Sequence, residues 1–226
     1  RPRPPPLGRG ILGALLALAV GTPTRRPDEC SVREALAARG LTIDTIERDG
    51  GDARGSVPWV VTTVTGTRLF VKVLSDEERF ADLLFRAWRR MRLRRSGDPR
   101  PHASLRDAVE HESLAALRAA SAGVPVPRVV GMGELLGADG VFVALEAIDG
   151  RSLDVLVDED GPDALTDAML RAAWSMVRTL HRAGIAHRDL RSANLVVDTD
   201  GQVWMVDFAF ADVFAPPELL ARDLVE

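Results

Sequence analysis

Two carboxylates and one amide near the end of the sequence are placed where they could bind a metal ion. Asp189, Asn194 and Asp207 follow one another closely in the chain. Apolar runs at 195–197 and 203–206, joined by a polar Asp/Gly turn, predict a β-hairpin between Asn194 and Asp207. Such a hairpin fixes the three side chains relative to one another. Because all three offer oxygen atoms, they suit a hard cation such as Mg²⁺.

A single lysine stands out among the basic residues. Lys72 is the only lysine among 29 Lys and Arg residues, and Asn194 is the only asparagine. A lysine that persists in so arginine-rich a chain indicates a need for its compact ammonium group rather than a planar guanidinium. Lys72 lies within the apolar run F-V-K-V-L, where burial without a partner is costly. We therefore expect a functional lysine with an acidic partner; the alternative is a lysine on the solvated face of a half-buried strand.

The elements that must position these residues are a sheet and several helices. Alternating apolar residues between Gly-rich turns predict five antiparallel strands, at 41–47, 57–64, 68–74, 129–133 and 141–145. Start and stop signals predict three helices, at 31–39 with Ser31 as N-cap, at 104–121 with a Ser104/Asp107 capping box, and at 161–183. In the third helix Leu170 and Trp174 are assigned to the apolar core face.

The spacing of the candidate residues resembles a known superfamily. H-R-D-L-R-S-A-N at 187–194, followed by D-F at 207–208, is similar to the catalytic and metal loops of protein-kinase-like enzymes. The resemblance covers about residues 41–207. It implies an α+β, protein-kinase-like fold of two lobes, with a five-stranded antiparallel N-terminal lobe and a short, mainly helical C-terminal lobe. It also implies ATP and Mg²⁺ as cofactors.

The resemblance assigns catalytic roles to three residues. Asp189 would accept the proton of the acceptor hydroxyl, and Lys72 would orient the α- and β-phosphates of ATP. A helix glutamate would pair with Lys72, and we prefer Glu112 over Glu110 for this role. The histidine of the H-R-D motif, His187, is interpreted as a brace for the loop.

Metal and nucleotide contacts follow from the same resemblance. Asn194 and Asp207 would hold Mg²⁺. The backbone of a hinge at 146–148 would bind adenine, and a Gly-rich turn would cover the phosphates, although a plain hairpin turn is an equal alternative for that turn. The implied nucleotide contacts are Gly50, Gly51, Gly55, Glu146, Ile148 and Asp154, in addition to Lys72.

A narrower resemblance concerns the acceptor. H-E-S-L followed by G-V-P-V-P is similar to small-molecule phosphotransferases of the aminoglycoside type. The basic insert, V-E-H-E-S-L and A-H-R-D-L-R-S-A-N resemble the kinase-like domain of actinobacterial lysylphosphatidylglycerol-synthase or flippase-like membrane proteins. The short stretch after Asp207 leaves little room for a peptide-binding platform. It favours a small-molecule or lipid-linked hydroxyl as acceptor, or no acceptor, in line with these likenesses. The corresponding domains are a membrane-proximal segment at 1–30, an N-lobe at 31–148 with a basic insert at 75–103, and a truncated C-lobe at 149–226.

Composition bears on partners and location. The net charge of −4 gives no overall basic field, so we expect no nucleic-acid partner. A single cysteine, Cys30, fits a reducing compartment. The apolar run 11–20 favours a membrane-proximal segment over a buried core helix. The Arg-rich amphipathic stretch 75–101 is equally consistent with a helix on an anionic membrane surface and with a helix that packs on the N-terminal lobe with a solvated basic face. The expected location is the cytoplasmic face of the cell membrane, within a larger protein, or the cytoplasm.

Two main functions remain open on the sequence, and a membrane-surface binding protein is a third. The metal and base positions favour an ATP-dependent phosphotransferase. The third residue of the D-F-x motif is Ala209 instead of Gly, and little sequence follows Asp207. These two features favour a nucleotide-binding pseudokinase that regulates an attached membrane domain.

Overall fold

The computed structural model describes residues 27–48, 57–75, 104–136 and 138–225. The helices and strands in chain order are α1 (Glu29–Ala37), β1 (Ile43–Arg48), β2 (Val57–Thr63), β3 (Arg68–Leu74), α2 (Leu105–Ser121), β4 (Val129–Glu134), β5 (Val141–Glu146), β6 (Gly150–Ser152), α3 (Leu153–Asp160), α4 (Asp167–Arg182), β7 (Leu195–Asp198), β8 (Val203–Met205) and α5 (Pro217–Arg222).

The first sheet has five antiparallel strands in the order β1-β2-β3-β5-β4. Gly66, at φ +82°, turns the chain from β2 into β3, a conformation that glycine adopts without steric cost. Within β3, Val71 and Val73 are fully buried on one face of the sheet. Because side chains alternate along a strand, Lys72 lies on the opposite face. The prediction of a five-stranded antiparallel sheet is confirmed.

Helix α1 covers the first face of this sheet. Its residues Val32 and Leu36 pack against Val61 and Val71 in one core. The helix begins earlier than predicted, because Asp28 and not Ser31 is the N-cap. The Ser31 amide donates to Asp28 Oδ1 at 2.9 Å, and the Asp28 amide donates to Ser31 Oγ at 3.0 Å. This reciprocal pair places Ser31 in the first turn.

Helix α2 contacts both halves of the molecule. It begins with the predicted capping box, in which the Asp107 amide donates to Ser104 Oγ at 3.0 Å. Near its start, Val109 packs against β5 of the first sheet. Farther along, Ala115 and Ala119 are buried in the core of the second half. The helix is therefore a shared wall between the two cores.

The second half combines a small sheet with helices. Strands β6, β7 and β8 form an antiparallel sheet, and the β7–β8 hairpin is the one predicted, with Gly201 at φ +81° in its turn. Strand β6 was not predicted, since three residues are too few to show alternation. Val177 and Leu180 of α4 pack into the core beneath this sheet.

Two predictions about helix α4 are wrong. The helix begins at Asp167, because Thr166 is its N-cap and accepts from the Met169 amide at 3.2 Å. A separate 3₁₀ turn, Pro162–Ala164, occupies the predicted start. Leu170 and Trp174, assigned to the core, are about half exposed on the outer face of the helix.

The predicted α+β class is confirmed, and the strand order agrees with a kinase-like N-terminal lobe. The domain boundaries stay predictions. Within the ranges described, no helix is long and apolar enough to cross a bilayer. The apolar run 11–20, the three glycines Gly50, Gly51 and Gly55, and the stretch 76–103 lie outside the described residues.

Candidate active site

Asp189 and Asn194 meet in the loop that connects α4 with β7. The Asn194 amide nitrogen, Nδ2, donates to the Asp189 carbonyl at 2.8 Å and to Asp189 Oδ2 at 3.1 Å. Arg191 Nε donates to the same Oδ2 at 3.1 Å. The Asp189 carboxylate is thereby oriented from two sides. Asn194 is almost fully buried, so its side chain serves as a fixed part of the loop.

Asp207 is brought beside this loop by the hairpin. The Val206 amide donates to the Asn194 carbonyl at 3.0 Å. Asp207 is the next residue after Val206 and therefore lies close to Asn194. Asp207 has φ +62° and Arg188 has φ +65°, conformations that few non-glycine residues adopt. Ala209 is not among the described residues with positive φ, so this arrangement does not require glycine at that position.

Lys72 joins the first sheet to Asp207 and to helix α2. Its Nζ lies 2.8 Å from Asp207 Oδ1 and 3.1 Å from Glu112 Oε1. The side chains of Lys72, Glu112 and Asp207 are 16%, 7% and 31% exposed, so the three charges share a largely enclosed space. Glu110 instead pairs with Arg106 on the surface at 2.7 Å. The structure thus places Glu112, and not Glu110, against Lys72.

The charges of this trio shift one another's acidity. Burial alone would lower the pKa of Lys72, but the carboxylates of Asp207 and Glu112 outweigh burial and raise it above the usual range. Burial raises the pKa of Glu112, and Lys72 offsets only part of that effect. Burial also acts to raise the pKa of Asp207, but the Lys72 charge prevails and holds it below the ordinary value. Asp207 therefore remains a carboxylate at neutral pH.

His187 lies beneath the two loops and braces them. It is fully buried, and its Nε2 donates to the Val206 carbonyl at 3.0 Å, directly before Asp207. Its ring packs at a tilt against Phe208, with ring centroids 5.0 Å apart. A fully buried ring with these neighbours stabilises the loops and is not positioned to exchange a proton with a substrate.

The family of this chain can now be stated. Residues 71–213, more than half of the sequence, match the lipopolysaccharide kinase (Kdo/WaaP) family. The chain belongs to this family. The Kdo/WaaP family is part of the protein-kinase-like superfamily, so the superfamily assignment made from the H-R-D and D-F motifs is confirmed. The narrower resemblance to actinobacterial flippase-like proteins stays a prediction.

Individual relatives of this Kdo/WaaP-family protein are serine/threonine kinases. It is 31% identical over 93 residues to the serine/threonine-protein kinase PknL of Mycobacterium tuberculosis, covering 39% of this chain and 23% of that protein. It is 29% identical over 99 residues to the CBL-interacting serine/threonine-protein kinase 16 of Arabidopsis thaliana, with 42% and 21% covered. It is 31% identical over 84 residues to the serine/threonine-protein kinase pak-1 of Caenorhabditis elegans, covering 37% of this chain and 15% of that protein. The matched part spans less than a quarter of each relative.

The predicted adenine and ribose contacts lie where the two halves of the Kdo/WaaP-family protein join. The Glu146 amide donates to the Arg128 carbonyl, and the Ala147 amide to the Arg68 carbonyl, each at 2.9 Å. The backbone N–H of Ile148 donates to no backbone atom of the described ranges. Asp154 lies in the first turn of α3, where its Oδ1 accepts from the Val155 amide at 3.0 Å.

Asp223 is a structural residue of this site that the sequence analysis missed. It is buried, and its two carboxylate oxygens accept from the His187 and Arg188 amides, each at 2.7 Å. His181 Nε2 lies 3.0 Å from the same carboxylate. Asp223 thereby holds the backbone that leads into Asp189. Its partners are mainly backbone N–H groups, which leave no trace in the sequence.

Replacing Asp223 by Asn is expected to destabilise the protein by about 2 kcal/mol. The NH₂ group of Asn would replace one carboxylate oxygen and would face a backbone N–H that has lost its acceptor. A phosphoryl-transfer activity of the kind expected of a kinase family should fall about tenfold as the loop of Asp189 shifts. Urea denaturation measures the first effect, and steady-state kinetics of phosphoryl transfer measure the second. Asp167→Asn, which alters an exposed pair with Arg171 and a charge in the first turn of α4, is the control and should change stability by less than about 1 kcal/mol. Equal stability of the two variants would contradict the assigned role of Asp223.

Proposed function

We propose that this protein is an ATP-dependent phosphotransferase that acts at or near a membrane on a small-molecule or lipid-linked hydroxyl. The observation that carries the proposal is the contact of Lys72 with both Glu112 and Asp207, next to the loop of Asp189 and Asn194. Phosphoryl transfer depends mainly on positioning and on neutralising charge, and these side chains are placed for both tasks.

Each residue has a defined task in this proposal. Lys72, held by Glu112, binds the α- and β-phosphates of ATP. Asp189 accepts the proton of the acceptor hydroxyl. The hydroxyl oxygen bonds to the γ-phosphorus of ATP, and the bond between the γ-phosphorus and the β–γ bridging oxygen breaks to release ADP. Arg191 donates from Nε to Asp189 Oδ2 and so helps to orient that carboxylate. The Ile148 N–H and the Glu146 carbonyl bind adenine, and Asp154 contacts the ribose.

The donor set fits a nucleotide-bound magnesium ion. Within the described residues, no three His, Cys, Asp or Glu side chains gather into one metal-binding group. Mg²⁺ does not need such a cage, since one or two carboxylates, phosphates and water complete its shell. Asn194 Nδ2 donates to Asp189, so its Oδ1 is the side-chain atom that could serve as an oxygen ligand. Asp207 and Asn194 would hold the ion, which supplies charge neutralisation between the phosphates.

The short path after Asp207 favours a non-peptide acceptor. The Asp212 amide donates to the Ala186 carbonyl at 2.8 Å, and the Ala215 amide to the Gly184 carbonyl at 2.9 Å. The chain thus returns to the catalytic loop within a few residues and enters α5 at Pro217. This leaves little polypeptide here to hold an extended peptide substrate. The name of the family points in the same direction, since a lipopolysaccharide is a lipid-linked sugar with hydroxyl groups.

The membrane part of the proposal depends on the family name and on sequence patterns at 11–20 and 75–101. It predicts a location at the cytoplasmic face of the membrane. The runner-up function, a nucleotide-binding pseudokinase, shares the nucleotide site but not the turnover.

Turnover of ATP by the wild type and by Asp189→Asn separates the two functions. The wild type is expected to release ADP when a glycolipid or sugar acceptor is present, and the variant about 100-fold less, because the base is lost while Asn keeps the side-chain shape. Nucleotide affinity, measured by calorimetry, should change less than threefold. Nucleotide binding without turnover in either form would support the pseudokinase. Turnover only with a serine or threonine peptide would contradict the proposed acceptor.

A further inference from the structure

Helix α2 makes a second polar contact, one residue before Glu112. His111 Nε2 lies 2.7 Å from the carbonyl oxygen of Ala211, a residue 100 positions later in the chain. The contact is partly buried. It lies on the same side of the helix as the buried Ala115 and Ala119, one turn and two turns farther along. Neighbouring residues on a helix differ by about 100° in direction. Glu112 therefore turns to the sheet and Lys72, while His111 turns to the other half of the molecule.

The carbonyl that His111 contacts closes the turn after Asp207. The Ala211 amide donates to the Phe208 carbonyl at 3.1 Å, and the next residue, Asp212, pairs with Ala186. Ala211 is buried. Asp207 begins this turn with φ +62°, a conformation that persists only where its surroundings hold it. Anything that fixes Ala211 also limits how far the Asp207 carboxylate can move.

We propose that His111 is a positioning residue that holds the Asp207 segment at a fixed distance from the Lys72–Glu112 pair. This inference rests on the proposed function, because it assigns His111 to the binding of the magnesium–nucleotide complex. Lys72 is carried by the sheet, Glu112 by the helix and Asp207 by the hairpin. The His111 hydrogen bond is a direct polar link from the helix to the segment that follows Asp207.

The contact defines which substitutions preserve it. A carbonyl oxygen only accepts, so Nε2 of His111 carries the hydrogen. Glutamine offers an N–H donor at nearly the same distance from the backbone, whereas leucine offers similar bulk without a donor. Glu110→Gln is the matched control on the same helix, since Glu110 pairs with Arg106 at the surface and touches none of the proposed machinery.

The test uses calorimetry to measure the affinity of the full chain for ATP at a series of Mg²⁺ concentrations. The quantity compared is the Mg²⁺ concentration at which the affinity for ATP reaches half of its maximum. His111→Leu is expected to raise this concentration about tenfold, which corresponds to one lost hydrogen bond. His111→Gln and Glu110→Gln should stay within threefold of the wild type. Affinity for ATP without Mg²⁺ should be equal in all four proteins. A purely structural role would weaken both affinities together.

Hydrogen exchange at the Ala211 and Asp212 amides provides a readout without ligand. His111→Leu should accelerate exchange at both amides at least tenfold, and His111→Gln should not. Unchanged exchange and unchanged Mg²⁺ dependence in His111→Leu would overturn the inference. Equal damage by Leu and Gln would do so as well, since the hydrogen bond would then not be the cause. If the wild type binds no nucleotide, the proposed function fails, and exchange alone decides whether His111 holds the segment.

Discussion

Replacement of Asp207 by Asn is expected to reduce phosphoryl transfer by about 1,000-fold while the protein stays folded. The carboxylate would hold Mg²⁺, which would neutralise charge in the transition state and stabilise it by several kcal/mol. Each 1.4 kcal/mol of that stabilisation corresponds to about a factor of ten in rate. Because Lys72 keeps the pKa of Asp207 low, the wild-type group is ionised at every pH where the enzyme would work. The variant lacks this charge at all pH values.

The substitution is suited to the site because it changes little else. Asn tolerates positive φ, so the backbone at Asp207 can remain as it is. Its side-chain oxygen can still accept from Lys72, which also keeps Glu112 as its partner. The measurement is kcat and KM for ATP across a series of Mg²⁺ concentrations, with thermal unfolding as the check on folding.

Asp200→Asn is the control for Asp207→Asn. Asp200 is exposed in the turn of the same hairpin, at the end away from Asp207. This variant should keep its activity within twofold of the wild type. A transfer rate within tenfold of the wild type for Asp207→Asn would contradict the assignment of Asp207 as a ligand of the metal ion.

Residue type and spacing were enough to predict the hairpin and the strands of the first sheet. Strand β3 agrees with its predicted bounds, since its alternation between flanking turns leaves one register that buries its valines. The capping box of α2 was predictable because its two polar residues bond to each other's backbone within one turn. Features of this kind depend on neighbours in the sequence.

Contacts between a side chain and backbone groups far away in the chain were not predictable from the sequence, whereas the pair of Lys72 and Glu112 was expected from the family resemblance. Asp223 and His111 act on backbone groups far away in the chain, and backbone groups are the same for every residue type. The half-exposed Leu170 and Trp174 show a related limit, because an apolar residue on a helix does not reveal whether a neighbour covers that face. Asp28 and Ser31 are both good N-caps, and their mutual contact decided between them.

Replacement of Lys72 by Met is expected to reduce phosphoryl transfer strongly and to lower the stability of the protein increasingly as the pH rises. Transfer should fall about 1,000-fold, because the phosphates lose their cation. Removing one member of a buried charge group costs about 3 kcal/mol, since Glu112 and Asp207 are left facing each other. The loss of stability should be largest at pH 8, where both carboxylates tend to ionise.

The direction follows from the pKa values. In the wild type the Lys72 charge opposes the effect of burial on the pKa of both Glu112 and Asp207. With that charge removed, burial is expected to raise the pKa of both carboxyls. A carboxyl whose pKa is higher in the folded than in the unfolded protein stabilises the fold most below the unfolded pKa, near 4, and progressively less as the pH rises through the folded pKa. In the wild type the two carboxyls are shifted in opposite directions, so their effects oppose each other. Lys72→Met should therefore approach wild-type stability at pH 5 and fall away toward pH 8.

Urea denaturation at pH 5, 6.5 and 8 measures this trend, and a second substitution identifies its cause. Adding Glu112→Gln to Lys72→Met removes one of the two facing carboxylates and should restore much of the stability at pH 8 without restoring transfer. Arg106→Met, which breaks two exposed ion pairs, with Glu110 and with Glu134, should show no such dependence on pH. An equal loss for Lys72→Met at all three pH values would mean that packing, and not the two unpaired carboxylates, causes the loss. The positive charge of Lys72, as distinct from its packing, would then not contribute to the stability of the proposed nucleotide site.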